Sequence, residues 1–146
     1  MRKNMESSSV EQQEAEKSIR GEISALLKVP VEWNKKIAIS EGVSIEPDVY
    51  SDAGIIGEIY AHIGQLKSGQ QKKISQDILK MLLLEKVRDQ TFDKYIFVID
   101  EEVEEYLKGK SFIAKSVEQF EIRVHRVDIS EEMRCNVLAA QKRQYR

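Results

Sequence analysis

The sequence predicts a single-domain α/β (α+β) fold in which a mixed β-sheet carries helices on both faces. Three observations predict it. Helical periodicity dominates 10–28 and 68–87, alternating apolar and polar runs fill 33–63, and the continuous β-branched and aromatic run DKYIFVI follows at 93–99. The resulting order is αβββαβαβα, an antiparallel meander followed by helical crossovers, which requires a mixed sheet.

The composition is that of a soluble globular domain. A chain of 146 residues fits one domain, and its 41% hydrophobic and 33% charged residues are in the usual balance. No apolar run approaches the ~20 residues that a membrane span needs, and no hydrophobic signal segment opens the chain. The single cysteine, Cys135, excludes an internal disulfide and a cysteine-based zinc site, so we expect a cytoplasmic protein. The net charge of −2 does not by itself indicate nucleic-acid binding.

The predicted domain spans residues 10–140. Residues 1–9 are polar and carry no periodicity, so we expect a disordered N-terminus, and residues 141–146 are expected to fray. The first helix runs from Val10 until Pro30 stops it, because a proline ring disfavours the helical conformation of the residue before it.

Three strands are predicted between this helix and the next one. Apolar and polar residues alternate over three ranges, 33–40, 43–50 and 55–63, which together form the antiparallel meander. Pro47 cannot donate a ladder hydrogen bond, so we expect the second strand to lie at an exposed edge or to be bulged there.

Helices and strands alternate in the second half of the chain. The helix from Ser68 to about Val87 has a wide apolar stripe, so we expect it to be extensively buried. The remaining elements are a central strand at 93–99, short helices at 101–107 and 111–120, a last strand at 121–129, and a helix from Ser130 toward Ala140.

The residues with the strongest chemical signal lie in one stretch, 47–77. Glu58 follows the apolar run GIIG in the third predicted strand, where a hydrophobic residue would normally continue it. Burying a carboxylate there costs several kcal/mol unless a cation or hydrogen bonds compensate it. Asp48 lies on the neighbouring antiparallel strand, so we expect the two carboxylates on one face of the sheet, sharing a divalent cation. Asp52 is the alternative to Asp48.

This arrangement resembles the PD-(D/E)xK nuclease superfamily, whose restriction endonuclease-like core many restriction-type endonucleases share. The resemblance rests on Pro47-Asp48, on Glu58-Ile59-Tyr60 at the (D/E)xK position, and on the helix and the strand DKYIFVI that follow. It covers roughly residues 30 to 130. It implies a metal-dependent DNA endonuclease, of restriction or defence type, that uses Mg²⁺ or Mn²⁺ and leaves a 5′-phosphate and a 3′-hydroxyl.

One position departs from the family's pattern. Tyr60 stands where the family has a lysine, and a tyrosine cannot stabilise an attacking or leaving oxygen as an ammonium does. In some relatives of this fold the lysine comes from the following helix or loop. That likeness, with the helical wheel, makes Lys73 and Lys67 the candidate catalytic lysines beside Asp48 and Glu58, ahead of Lys72 and Lys80.

Three further side chains are candidate substrate contacts: Gln71, His62 and Tyr60. His62 shares the strand face of Glu58, where it could contact phosphate or a metal-bound water; a buried histidine satisfied by hydrogen bonds is the alternative. Asp77 is expected to hold Lys73 across one helical turn.

Three functions follow from these residues. The first is a DNA endonuclease, expected to act as a homodimer because cutting both strands of a duplex takes two sites related by a two-fold axis. The Leu-rich helix segment 78–84 and the edge at Pro47 are the apolar surfaces expected to support that dimer. The second is a catalytically inactive nucleic-acid-binding module of the same fold, which Tyr60 favours. The third is an unrelated α/β protein whose acids belong to salt-bridge networks.

Overall fold

The structure is a computed structural model that describes residues 2–144, with side chains described for residues 10–143. Within these residues the chain forms the helices α1 (Arg2–Leu27), α2 (Ser68–Arg88), α3 (Glu101–Leu107), α4 (Phe112–Gln119) and α5 (Glu131–Gln144). The strands are β1 (Glu32–Trp33), β2 (Ile37–Ser40), β3 (Val43–Ile45), β4 (Val49–Ser51), β5 (Ile55–Tyr60), β6 (Asp93–Val98) and β7 (Arg123–Arg126). The predicted single domain of mixed α and β structure is confirmed.

One mixed five-stranded sheet organises the domain, in the order β1-β4-β5-β6-β7. β4 pairs antiparallel with both β1 and β5, whereas β5, β6 and β7 run parallel to one another. Parallel neighbours need crossover connections, which α2 supplies between β5 and β6 and the α3–α4 pair supplies between β6 and β7. β6, predicted as a central strand, lies between β5 and β7 with its last residues fully buried.

The predicted three-strand meander is wrong in its first half. The run 33–40 breaks after Trp33, where Asn34 takes up a left-handed backbone conformation with φ of 52°. Its second part, β2, pairs with β3 as a separate two-stranded hairpin. The run 43–50 breaks around Pro47, which lies between β3 and β4. Pro47 is buried, so the exposed edge expected there is covered.

Helices cover both faces of the sheet, as predicted. On one face, Ile19 and Ile23 of α1 cluster with the buried side chains of Val49 and Phe97, and α5 packs alongside α1. The opposite face carries α2, α3 and α4, whose apolar residues cluster with alternate residues of β6: Ile74, Val103, Val117, Ile96 and Val98. The alternation of β6 therefore divides the core into two layers.

Both ends of the domain are more helical than the sequence predicts. α1 begins at Arg2, so the backbone of residues 2–9 is helical where disorder is predicted, and Met1 lies outside the described residues. α5 continues to Gln144, so residues 141–144 are helical, and the last two residues lie outside the described range. Within residues 2–144, no helix combines the length and the apolar character that crossing a membrane requires.

Candidate active site

Asp48 and Glu58 lie side by side where β4 and β5 meet. Val49 pairs with Gly57, so the antiparallel register places Asp48, the residue before β4, beside Glu58. The backbone N–H of Asp48 lies 3.4 Å from Oε2 of Glu58, and Oδ2 of Asp48 accepts the backbone N–H of Ile59 at 2.8 Å. The structure thus brings together the two carboxyls that the sequence singles out.

Glu58 is held in a state that disfavours its charge. Only 6% of its surface is exposed. The pKa of Glu58 is raised to about 9, chiefly by burial. The charge of Asp48, the hydrogen bond between the two carboxyls and the charge of Asp77 raise it further, in that order. The site therefore favours the protonated form of Glu58 at neutral pH. A cation beside the pair would reverse this preference, because an opposite charge favours the ionised form.

A third acid joins the pair from α2. Tyr60 follows Glu58 on the same face of β5, and its hydroxyl donates a short hydrogen bond to Oδ2 of Asp77. Asp77 is itself only 6% exposed. Burial and the charge of Asp77 raise the pKa of Tyr60, so its hydroxyl stays protonated and remains a donor. We refer to Asp48, Glu58 and Asp77 as the carboxylate cluster.

Lys73 lies beside the carboxylate cluster. Its Nζ is 3.5 Å from Oδ2 of Asp77, and it lies 5.4 Å from the centre of the Tyr60 ring. The ion pair predicted between Lys73 and Asp77 is therefore present. The Lys73 side chain is 62% exposed, so its ammonium also faces solvent and can meet a ligand. Lys80 approaches the other carboxylate oxygen of Asp77 at 3.9 Å.

His62 and Lys67 flank the start of α2, and both are linked to Gln70. The amide of Gln70 donates to Nδ1 of His62 at 2.8 Å, so Nε2 carries the ring proton and donates to the carbonyl of Gln65 at 3.1 Å. The histidine is buried, and both of its nitrogens are hydrogen-bonded, which is the structural alternative that the sequence left open. Lys67 is exposed, and its backbone N–H donates to Oε1 of Gln70 at 2.8 Å.

Gln71 lies in a different part of the surface. Its amide donates to the carbonyl of Leu66 at 3.2 Å. It lines a cavity of about 320 Å³ together with Glu102 and Tyr106 of α3. Of the three predicted substrate contacts, Tyr60 and His62 lie near Lys73, whereas Gln71 faces α3.

A groove beside α1 is lined by Asp48, Tyr60, His62 and Lys73. Its larger part has a volume of about 470 Å³, and its lining includes Tyr60, His62 and Lys73. A smaller part of about 180 Å³ is lined by Arg20, Asn34 and Asp48, among others. Ile59 and Ala61 line both parts, so the groove runs from Asp48 along the end of β5 to Lys73. We call it the active-site groove.

The donor chemistry of the pair suits a hard divalent cation bound by few protein ligands. Within residues 2–144, no group of three or more His, Cys, Asp and Glu side chains could hold a metal ion. Mg²⁺, however, commonly keeps several waters and uses only one or two carboxylates together with substrate phosphate. Asp48 and Glu58 supply two neighbouring carboxyls, and the raised pKa of Glu58 reflects its burial beside the acids Asp48 and Asp77.

The loop that carries His62 is held by residues that sequence reasoning missed. Gln141 of α5 accepts the backbone N–H of Ile63 at 3.0 Å and donates to the carbonyl of the same residue at 2.8 Å. Asp100 accepts the N–H of Gly64 at 2.9 Å and pairs with Arg134 of α5. Burial alone would raise the pKa of Asp100, but the hydrogen bonds from Gly64 and Arg134 outweigh it and lower that pKa.

Asp77 was also missed as a member of the site. Its spacing from Lys73 predicts only an i,i+4 ion pair. The signal that could have found it is its position on the apolar stripe of α2, between the buried Ile74 and Ile78. An acid there, like Glu58 in β5, has to be explained by a partner.

No protein-family model, no curated protein and no solved structure matches the chain significantly. The resemblance to the PD-(D/E)xK superfamily therefore rests on residues 47–60 and on the order of the elements, and membership of that superfamily stays a prediction.

Proposed function

We propose that this chain is a cytoplasmic, metal-dependent nuclease of the PD-(D/E)xK type that hydrolyses phosphodiester bonds in DNA. The observation that carries the proposal is the pair of neighbouring carboxyls of Asp48 and Glu58 on adjacent antiparallel strands. The mixed sheet, with antiparallel strands followed by α2 and a parallel strand, supports a restriction endonuclease-like core. A restriction or defence role belongs to the same proposal.

Asp48 and Glu58 would hold Mg²⁺ or Mn²⁺. When bound, such a cation lowers the pKa of a coordinated water and neutralises charge that develops on the phosphate. The chain's own task is to present two carboxylates in fixed positions. The N–H of Ile59 orients Asp48, and the N–H of Asp48 faces Glu58. Glu58 would bind the cation as a carboxylate, because an opposite charge favours the ionised form, and its proton would pass to solvent water.

Lys73 would take the role that the family gives to the lysine at position 60. Asp77 and the Tyr60 ring hold its ammonium over the end of β5. From there it can stabilise negative charge on a phosphate in the active-site groove, which it lines. Lys67 and Lys72, which are both exposed near the same helix start, would add attraction for the DNA backbone.

A binding module without turnover is the second candidate. Two observations favour it: Tyr60 replaces the family's lysine, and its hydroxyl is already committed to Asp77. Such a protein would keep the basic helix start and bind DNA, but it would not cleave it.

Cleavage of supercoiled plasmid DNA tests the proposal. The purified chain is incubated with plasmid and Mg²⁺ or Mn²⁺, with EDTA in a parallel reaction, and nicked and linear products are measured on a gel. We expect the parent to cleave the plasmid and the Glu58→Ala variant to leave it uncut. Glu46→Ala is the matched control, since Glu46 is an exposed acid in the same segment, and it should cleave like the parent.

DNA binding separates the two candidates. Fluorescence anisotropy with a labelled duplex is measured in Ca²⁺, which occupies hard-cation sites and generally supports little cleavage. Binding without cleavage under either Mg²⁺ or Mn²⁺ would favour the binding module. Neither binding nor cleavage would overturn both candidates.

A further inference from the structure

The outer surface of α2 and α4 carries five of the large apolar side chains that are exposed among the described residues. Phe112 is 84% exposed and Leu79 is 65% exposed, which are large values for residues of these types. Leu83 and Val87 follow Leu79 at four-residue spacing along α2, and Phe120 lies directly after α4; each of the three is more than 40% exposed. We call these five residues the α2–α4 face. Contiguous apolar surface of this kind commonly marks an interaction site.

A groove of about 330 Å³ opens within the α2–α4 face, between the two helices. Its lining is apolar apart from two hydroxyls, those of Ser75 and Ser116. Both hydroxyls already donate to carbonyls of their own helices, Ser75 to Gln71 at 3.2 Å and Ser116 to Phe112 at 3.0 Å. The groove therefore suits an apolar side chain rather than a polar ligand.

The groove and a protruding aromatic side chain lie on the same surface. Phe112 forms part of the groove's rim and stands mostly in solvent, while Leu79 and Phe120 form other parts of that rim. A surface that carries both a projecting side chain and an apolar groove can be self-complementary. A two-fold axis would then place the Phe112 of each copy against the groove of the other.

One pair of opposite charges lies on α4, which carries part of the face. Lys115 and Glu118 of α4 are equally exposed and pair with each other at 3.5 Å. These two charges cancel each other, so this part of α4 brings no net charge to the contact.

The exposed apolar area is enough for a modest dimer. A fully buried aromatic side chain covers about 150–250 Å², and the exposed fractions of the five residues amount to roughly 500 Å² per copy. Two copies would then bury about 1,000 Å², near the lower limit for a specific interface.

We propose that the α2–α4 face is a two-fold interface between copies of this chain, with Phe112 of each copy inserted into the apolar groove of the other. This proposal does not depend on the nuclease proposal. None of the five residues lines the active-site groove, and none belongs to the carboxylate cluster.

Sedimentation equilibrium of the full chain tests the proposal. The protein is measured at about 5–100 µM, because modest interfaces form in roughly this concentration range. The parent should approach twice the 16.9 kDa mass of one chain. Phe112→Glu should sediment as a monomer. Phe112 is the first residue of α4, where an acid suits the helix dipole, so the helix itself should not be weakened. Circular dichroism verifies that the variant is folded.

Val43→Glu is the matched control. Val43 is an exposed apolar residue, 47% accessible, on the β2–β3 hairpin and outside the α2–α4 face. It should leave the dimer intact. A monomeric parent across the whole range would overturn the proposal. A Phe112→Glu variant that remains dimeric, or a Val43→Glu variant that dissociates as readily, would also overturn it, because the contact would then lie elsewhere.

Discussion

Asp48 and Glu58 hold each other in place through the backbone as well as through their carboxyls. The N–H of Asp48 faces Oε2 of Glu58, while Oδ2 of Asp48 accepts the N–H of Ile59, the residue after Glu58. Turning either carboxyl away would therefore lose a contact with the neighbouring strand. The repulsion between the two acids has to be reduced by a bound proton or by a bound cation. The first case predicts how stability depends on pH, and the second predicts that a divalent cation stabilises the fold.

Glu58→Gln should stabilise the protein at neutral and alkaline pH. The pKa of Glu58 is raised from an ordinary 4.5 to about 9, so between these values the folded chain binds more protons at this site than the unfolded chain. The free energy of unfolding of the parent therefore falls as pH rises from 4.5 to 9. Glutamine cannot ionise, yet its amide can still donate to Asp48. The variant should be more stable by about 2–4 kcal/mol at pH 8, with the difference vanishing near pH 4.5.

Urea unfolding at pH 4.5, 6, 7 and 8 measures this difference. Glu46→Gln, at an exposed position, serves as the control and should follow the parent at every pH. A parent whose stability does not fall over this range, or a Glu58→Gln variant that is less stable at pH 8, would contradict the prediction.

A divalent cation should stabilise the folded chain without any nucleic acid present. Binding to the folded state alone raises the free energy of unfolding by about 2.7 kcal/mol when the cation is at 100 times its dissociation constant. We expect Mg²⁺ or Mn²⁺ to raise the melting temperature of the parent, and EDTA to reverse the rise. Asp48→Asn and Glu58→Gln should each lose most of it, because each removes one carboxylate ligand. Equal stabilisation of the parent and both variants would show that the cation binds elsewhere.

Lys73→Met should lower DNA cleavage by about 10²–10³-fold, the usual loss for one group that stabilises the transition state. Methionine keeps much of the stem while it removes the charge beside Asp77 and Tyr60. Lys86→Met is the matched control and should cleave like the parent, since Lys86 is exposed in the last turn of the same helix and does not line the active-site groove. Lys67→Met tests the second candidate lysine. Wild-type rates in both the Lys73 and Lys67 variants would exclude a substitute lysine at these two positions.

The sequence predicts those helices and strands whose own apolar pattern is enough to determine their structure. The helix α2 and the β-branched run of β6 both lie where they are predicted, and the central stripe of α2 is buried. Leu79, Leu83 and Val87, which widen that stripe in the sequence, are exposed, so α2 is less extensively buried than predicted. The break at Asn34 was not predicted, because its left-handed conformation depends on the turn around it and not on a glycine. Pro47 signalled a break in its strand, but not that the hairpin ahead of it would leave the main sheet.

In the candidate site, too, the contacts that depend on local patterns could be predicted, and those that depend on how the chain folds back could not. The pairing of Asp48 with Glu58 could be predicted because strand register and side-chain alternation are local rules. The position of Asp77 against Tyr60 depends on how α2 crosses the sheet, which no spacing in the sequence reveals. The state of His62 likewise depends on Gln70, which reaches it only after the intervening loop has folded back.

Gln141 should control the order of the loop that carries His62. Its amide makes two hydrogen bonds with the backbone of Ile63, the same pattern that a neighbouring strand would make, and it thereby joins α5 to the end of β5. Gln141→Ala leaves both backbone groups of Ile63 without this partner, which should lower the free energy of unfolding by about 1–3 kcal/mol. Because the loop is also held by Asp100 through Gly64, the fold itself should persist.

Hydrogen exchange distinguishes a local effect from a global one. In the Gln141→Ala variant the amides of Ile63 and Gly64 should lose protection first, while the amides of β6 should change only as much as the overall stability does. Lys142→Ala is the matched control, since Lys142 is exposed on the same turn of α5 and should leave the loop unchanged. Because His62 of this loop and Gln141 itself both line the active-site groove, Gln141→Ala should also weaken the proposed DNA binding in the groove. Unchanged protection at Ile63 in Gln141→Ala would show that α5 does not hold the loop.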